Sequence, residues 1–575
     1  MDIKNNNELT GYPSLDRPWL KYYSEEAINA PLPEGTIYDY MMRCNEARLD
    51  CVALRYFGRT ITHREFLRRI ELCARALAAR GVKRGDIVSV CMLTMPETLV
   101  LLYAINYVGA ICAFLILNAT EQELHKHLMQ TESRCVFAVD LTVDKVVEAA
   151  KGTAVKEIVR VPLSASMPLF MSTAFRCKAG KRQEYKGVID WGKFLKSGKS
   201  KECAKVAMKS SDIAVLEYTS GTTGESKGVM LSNQSVNTVP FHYKNSATVF
   251  EFHSGEKFLC IVPPFLSVGL ITTLVMPLCL GFELILIPNP EPQKTAKNVI
   301  KYRPNHLCGG PFHISNLMDS ALTQAADLSF LSTVAYGGDK NDSQWEQSAT
   351  KFFFSHGMKH ELVNGYGLTE TASSCCTTTH KTNFMIPFFK NNILIRGVDS
   401  DEELRYGEEG EICISGPGVM EGYYKNPQAT AELIFTREGI RWLRTGDLGM
   451  VTEDGALHVT GRLKRIAWAK GDEGIIIRIY PMQIEETICR YPGVARCAVV
   501  CLCDSQRGYV PVAFVVPQKQ DANRDALQRD IMALIRQKLN SVSQLQAIHF
   551  LDSLPATRAG KIDYKALEVM AAEEV

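Results

Sequence analysis

The segment "TITHREFLRRIELCARALAARGV" (Thr60 to Val82) places Phe66, Ile70, Leu72, Ala74, Leu77 and Ala78 near helical spacing. It stops at Gly81, and the following "DIVSVCML" reads as a strand. The same alternation continues through "CVFAVD" and "EIVRVPL". Strands joined by helices in this way lie parallel and have their faces covered, so the chain is expected to be α/β. Beyond about residue 390 the texture changes to "NNILIRG", "GEICISGPGV" and "ALHVTGRL", short strands separated by glycine turns. Near the C-terminus "DALQRDIMALIRQKL" reads as an amphipathic helix, with Leu527, Ile531, Leu534 and Ile535 on one face.

Two apolar runs test whether the chain crosses a membrane. "SVGLITTLVMPLCLGFELILI" (Ser267 to Ile287) is long enough, but Pro277, Gly281 and Glu283 interrupt it. It reads as a buried helix, a turn at Gly281 and a core strand. "TLVLLYAINYVGAICAFL" (Thr98 to Leu115) divides similarly at Gly109. No membrane span is therefore expected. At 575 residues the chain should hold two to four domains or subdomains. A formal net charge of +2 implies no general attraction to nucleic acid. The 18 cysteines are scattered without zinc-ligand spacing, and "MDIKNNNELTG" lacks a secretory apolar core. Reduced thiols in a cytoplasmic protein are the simplest account, with Cys375 and Cys376 as small packing residues.

"EYTSGTTGESKG" (Glu217 to Gly228) follows the expected strand "DIAVLEYT". Its glycines let backbone N–H groups approach an anion, its hydroxyls donate, and Lys227 adds a point charge suited to phosphate. The spacing is not that of the Walker loop, and a flexible Gly/Thr turn would explain the stretch taken alone.

Further motifs follow it in order: "NGYGLTET" (Asn364 to Thr371), "LRTGD" (Leu443 to Asp447), "GRLKR" (Gly461 to Arg465) and "LPATRAGKID" (Leu554 to Asp563). This ordered set resembles the acyl-adenylate-forming (AMP-binding) superfamily of acyl-CoA synthetases, peptide-synthetase adenylation domains and beetle luciferases. The organisation is most similar to stand-alone acyl-CoA synthetases, and the match runs over most of the chain.

The resemblance implies an N-terminal adenylation portion over 1–463 with a β-rich subdomain at about 390–463. It also implies a small mobile α+β domain over 464–575, hinged at Lys464. It implies that ATP and a carboxylic acid give an acyl-adenylate, from which coenzyme A takes the acyl group. In that register Thr219, Ser220, Gly221, Thr222, Thr223, Gly224 and Lys227 would hold phosphates. Gly337 and Gly338, in "AYGGDK", would lie beside adenine, though a plain turn explains that stretch nearly as well. Tyr366, followed by Gly367, offers a ring face to adenine, while Asp447 and Arg462 suit the ribose diol. Thr369 would donate to the α-phosphate and Glu370 would serve Mg²⁺ as a hard carboxylate ligand. Lys561 would bridge the acid's carboxylate and the α-phosphate.

Three departures bear on the finer reading. Glu225 puts a like charge near the polyphosphate, Leu266 stands where many acyl-CoA synthetases have histidine, and the segment Arg465 to Glu486 is longer than usual. The last motivates an alternative acceptor, a carrier protein's phosphopantetheine arm. A non-catalytic nucleotide-binding relative is the other alternative. Phe265 and Leu266, in "FLSV", occupy the place where amino-acid-activating domains carry an aspartate for the α-ammonium. An apolar pocket there favours a fatty or aryl acid.

Overall fold

The computed structural model describes residues 9–179, 183–219, 226–288, 291–338, 343–470, 476–504, 506–519, 522–557 and 561–573. Helix His63–Ala79 forms where the apolar spacing predicts it. The Thr62 hydroxyl caps it by accepting from the Glu65 N–H at 3.2 Å. Phe66, Ile70, Ala74 and Leu77 are fully buried along one face. Strand Ile87–Cys91 follows and enters the centre of an eight-stranded sheet. In that sheet Ile213–Tyr218, Ile111–Phe114, Ile87–Cys91, Cys135–Val139, Glu157–Val161 and Val188–Asp190 run parallel. Gly228–Ser232 and Gly422–Tyr423 close one side antiparallel.

A nine-stranded sheet carries the second parallel core: Val363–Tyr366, Thr333–Gly337, His306–Gly309, Lys257–Cys260, Glu283–Leu286 and Val52–Tyr56. Short antiparallel strands flank it on both sides. The change of texture near residue 390 marks a five-stranded antiparallel sheet built from Asn392–Arg396, Gly410–Ser415, Ile434–Arg437, Ile440–Val451 and Leu457–Arg462. The one-turn helix Leu463–Arg465 then leads into a fourth sheet, which starts at Ala467–Lys470. Its core is sealed by Leu527, Ile531 and Ile535 of helix Arg524–Lys538. Leu534 is only partly buried, at the margin of that face.

Both long apolar runs break as expected. Pro96–Tyr107 is helical and Ile111–Phe114 is a strand, with the turn at Gly109. The second run differs in detail from the expected single helix. Val268–Val275 is π-helical and passes into α-helix only over Met276–Cys279. Pro277 in the first turn of the α-helical part has no N–H to give, and a wider turn upstream accommodates the change. Among the described residues no helix is long and apolar enough to cross a membrane. Among the described residues, which include all 18 cysteines, no disulfide forms, and Cys375 and Cys376 are buried packing residues.

Candidate active site

In the nine-stranded sheet, strands Thr333–Gly337 and Val363–Tyr366 run side by side and parallel, with Gly337 opposite Gly365. Their C-terminal ends therefore open together, the position where α/β sheets receive ligands. Gly337 and Gly338 leave one strand, while Tyr366 and Gly367 leave the other. Gly367 cannot be replaced without rebuilding this corner, because a Cβ there would fall 1.6 Å from the Ser373 carbonyl oxygen. Gly338 sits at φ +82°, and a Cβ built on it would be 3.9 Å from the Cε of Lys561. Lys561 thus reaches the glycine corner of the large sheet.

The five-stranded sheet supplies the opposite wall. Asp447 and Arg462 are direct partners in the antiparallel pairing of Ile440–Val451 with Leu457–Arg462. Arg462 Nε lies 3.0 Å from Asp447 Oδ1. The Tyr366 hydroxyl donates to Asp447 Oδ2 at 2.8 Å, and the backbone N–H of Asp447 donates to Thr445 Oγ1 at 3.0 Å. Burial pushes the Asp447 carboxyl up from its ordinary value, against the pull of Arg462, the Tyr366 hydroxyl and the Lys561 charge. The same burial raises the Tyr366 phenol well above its usual value, so it remains a donor.

Thr369 and Glu370 lie in the one-turn helix Thr369–Thr371, immediately after this corner. The Tyr423 hydroxyl donates to Glu370 Oε1 at 2.7 Å, and the Met420 N–H donates to the Glu370 carbonyl at 2.8 Å. Lys227 Nζ stands 5.0 Å from the centroid of the Tyr423 ring. The Ser267 hydroxyl donates to Thr369 Oγ1 at 3.4 Å. At the stem of the expected phosphate loop, the Thr219 N–H donates to the Lys227 carbonyl at 3.1 Å. Ser220, Gly221, Thr222, Thr223 and Gly224 lie outside the described residues, as does Glu225. Lys464 is exposed in the turn between the third and fourth sheets. Phe265 is buried and Leu266 partly buried, both in the main apolar core.

Tyr423, Ser267 and Thr445 were not among the residues singled out from sequence. Tyr423 belongs to "EGYYKNP", where nothing local separates a site tyrosine from a packing one. Glu217 was missed too: it is fully buried, its oxygens have no hydrogen-bond partner among the described residues, and burial lifts its carboxyl to about 8. Strand Ile213–Tyr218 therefore carries a neutral acid at pH 7, two residues before Thr219.

The chain belongs to the AMP-binding enzyme family: residues 42–424 match the AMP-binding enzyme pattern and residues 483–561 match its C-terminal domain. It is 30% identical over 570 residues to the long-chain-fatty-acid–CoA ligase of Bacillus subtilis (strain 168), covering 95% of this chain and 96% of that one. It is 28% identical to a feruloyl-CoA synthase of an Amycolatopsis species, covering 89% and 94%. Among solved structures, the anthranilate CoA ligase AuaEII with anthranoyl-AMP superposes with a TM-score of 0.79 at 20% identity, over 96% and 100% of the two chains. ATP-bound MatB of Rhodopseudomonas palustris gives 0.78 at 21% identity, over 93% and 99%. These structures have the same fold.

Proposed function

We propose that this AMP-forming acid–coenzyme A ligase activates a fatty or aryl carboxylic acid and that its adenylation site is the corner just described. The observation that carries the reading is the convergence of Tyr366, Asp447 and Arg462 from two sheets, Glu370 from the one-turn helix Thr369–Thr371 and Lys561 from near the C-terminus onto one pair of strand ends. Attack of a carboxylate on the α-phosphorus of ATP brings two anions together, so cations and donors must offset their repulsion. Lys561 would donate to both reacting groups, and Thr369 to the α-phosphate. Lys227 and the loop from Thr219 would hold the outer phosphates. Asp447 accepts from the ribose hydroxyls, and Arg462 keeps that carboxylate charged and oriented. Tyr366 presents a ring face to adenine while its hydroxyl stays on Asp447.

Mg²⁺ fits this donor set. Glu370 offers a hard carboxylate to the metal–nucleotide complex, and among the described residues no cluster of three or more acidic, histidine or cysteine side chains forms a metal cage. One protein carboxylate with phosphate oxygens is the usual arrangement for Mg²⁺, which would offset phosphate charge there. Tyr423 holds Glu370 by one oxygen and leaves the other available.

Two relatives are named for a fatty acid and for a ferulic acid, neither bearing an α-amine. The apolar Phe265 and Leu266 agree with such a substrate. The portion after Lys464 would rotate about that residue between adenylation and thioester formation. The longer segment after Lys464, which forms the hairpin Ala467–Lys470 with Ile476–Ile479, keeps a carrier-protein arm as a second acceptor. Pyrophosphate release over a panel of fatty, aryl and α-amino acids tests the substrate class. The fatty or aryl acids should be preferred, and a clear preference for a free α-amino acid would overturn the reading. Product analysis with and without coenzyme A identifies the acceptor.

A further inference from the structure

Away from the adenylation corner, three helix ends meet around a pair of thiols. Cys44 is next to last in helix Ile37–Asn45, Cys279 ends helix Met276–Cys279, and Lys244 ends helix Asn233–Lys244. Lys244 Nζ donates to Cys44 Sγ at 3.5 Å. The Cys44 and Cys279 side chains lie close enough to influence each other's charge, and so do those of Cys44 and Tyr40, one turn before it. The Asn45 amide fastens the two helix ends, donating to Met41 O at 2.9 Å and to Leu278 O at 3.0 Å. Cys279 is 2% exposed, whereas Cys44 is only partly buried.

A sulfur that accepts from an ammonium, with a second thiol and a phenol beside it, is stabilised as a thiolate. The Cys279 S–H and the Lys244 charge hold the Cys44 thiol below its ordinary value. The bond to Cys44 and burial push Cys279 the other way. Cys44 is therefore the more nucleophilic and the more reachable of the two thiols, and Cys279 the more shielded.

We propose that Cys44 and Cys279 form a hydroperoxide-reactive dithiol in which Cys44 attacks and Cys279 resolves. The Cys44 thiolate attacks the terminal oxygen of a hydroperoxide, the O–O bond breaks, and the alkoxide or hydroxide leaves and takes up a proton. The product is the Cys44 sulfenic acid. Cys279 then attacks that sulfur, the S–O bond breaks, and water leaves with the Cys279 proton. The peroxide is reduced by two electrons and the two thiols are oxidised to one disulfide. That bond ties helix Ile37–Asn45 to the end of the helical run Val268–Cys279, whose first turn follows Phe265 and Leu266.

The test uses the full-length reduced protein. Iodoacetamide labelling, read peptide by peptide, should proceed at Cys44 at nearly the same rate from pH 7 to pH 9. A free cysteine-containing peptide labelled alongside should speed up roughly tenfold or more over that range, as an ordinary thiol does. Stoichiometric hydrogen peroxide at pH 7 should yield a Cys44–Cys279 linked peptide. With Cys279→Ser, dimedone should instead capture Cys44 as the sulfenic acid. Lys244→Met should move the Cys44 labelling profile to higher pH. A Cys44 profile parallel to that of the free peptide, or oxidation of the exposed Cys51 and Cys503 with no linked peptide, would overturn the proposal without recourse to any variant.

Discussion

Tyr366 and Asp447 come from different sheets and meet through one 2.8 Å hydrogen bond, the phenol donating to a carboxylate that is 2% exposed. The bond orients Asp447 from one side while Arg462 holds it from the other. A buried carboxylate with two such partners is fixed in direction before any nucleotide arrives.

Tyr366→Phe should therefore keep the ring but release Asp447 Oδ2. Leaving a buried charged acceptor short of one donor costs about 1–3 kcal/mol. If that energy appears in nucleotide binding, KM for ATP should rise roughly tenfold to a hundredfold. The maximal rate should fall less. Steady-state kinetics at saturating acid checks this, and an unchanged KM for ATP would detach the pair from nucleotide binding.

Glu370 and Tyr423 should separate in the same manner. Glu370→Gln removes the charge and should reduce acid-dependent ATP–pyrophosphate exchange by two or more orders of magnitude at saturating Mg²⁺. Tyr423→Phe removes only the 2.7 Å hydrogen bond, so the loss should be smaller and should appear first as a higher Mg²⁺ requirement. Full exchange in the Glu370→Gln variant would take Glu370 out of the chemistry.

Acid should destabilise the fold through buried neutral histidines. His242 is fully enclosed, stacked on Phe388 at 4.8 Å, and neither ring nitrogen has a partner among the described residues. Burial, helped by Lys390, lowers it from 6.5 to about 3. The unfolded chain binds the proton first, so stability is whole above pH 6.5 and is lost as pH falls toward 3. Between pH 6.5 and pH 5 this one site removes about 2 kcal/mol. Urea midpoints at pH 7.5 and pH 5 should show the loss. His242→Phe should make the pH dependence shallower, and an unchanged slope would assign the acid sensitivity to other groups.

How far the sequence reveals this molecule depends on the range of the interaction concerned. Helix His63–Ala79 and the breaks at Gly109 and Gly281 were legible because apolar period and backbone chemistry act within a few residues. Asp447 and Lys561 could be singled out because they stand in ordered motifs whose resemblance to a family extends over most of the chain. The π-helical turn at Val268–Val275 was not, since the apolar spacing of a buried segment fits α and π alike. Tyr423 was hidden because its partner Glu370 stands 53 residues away in the chain, in the one-turn helix Thr369–Thr371. The Cys44–Lys244–Cys279 cluster was hidden for the same reason, its members being distant in the chain and unmarked locally.

Lys561 carries the strongest expectation. In this structure its Cε approaches the glycine corner at Gly338, and its charge is felt at Asp447, an arrangement suited to adenylation. If residues after Lys464 rotate before thioester formation, the lysine leaves that corner and the second step proceeds without it. Lys561→Ala should then slow acyl-adenylate formation by on the order of a hundredfold to a thousandfold, the usual cost of one such contact. Coenzyme A attack on supplied acyl-adenylate should stay within a few fold of the parent. Assaying both half-reactions on one purified variant decides the matter. Equal loss in both would mean that Lys561 serves folding or general binding, and rotation about Lys464 would lose its support.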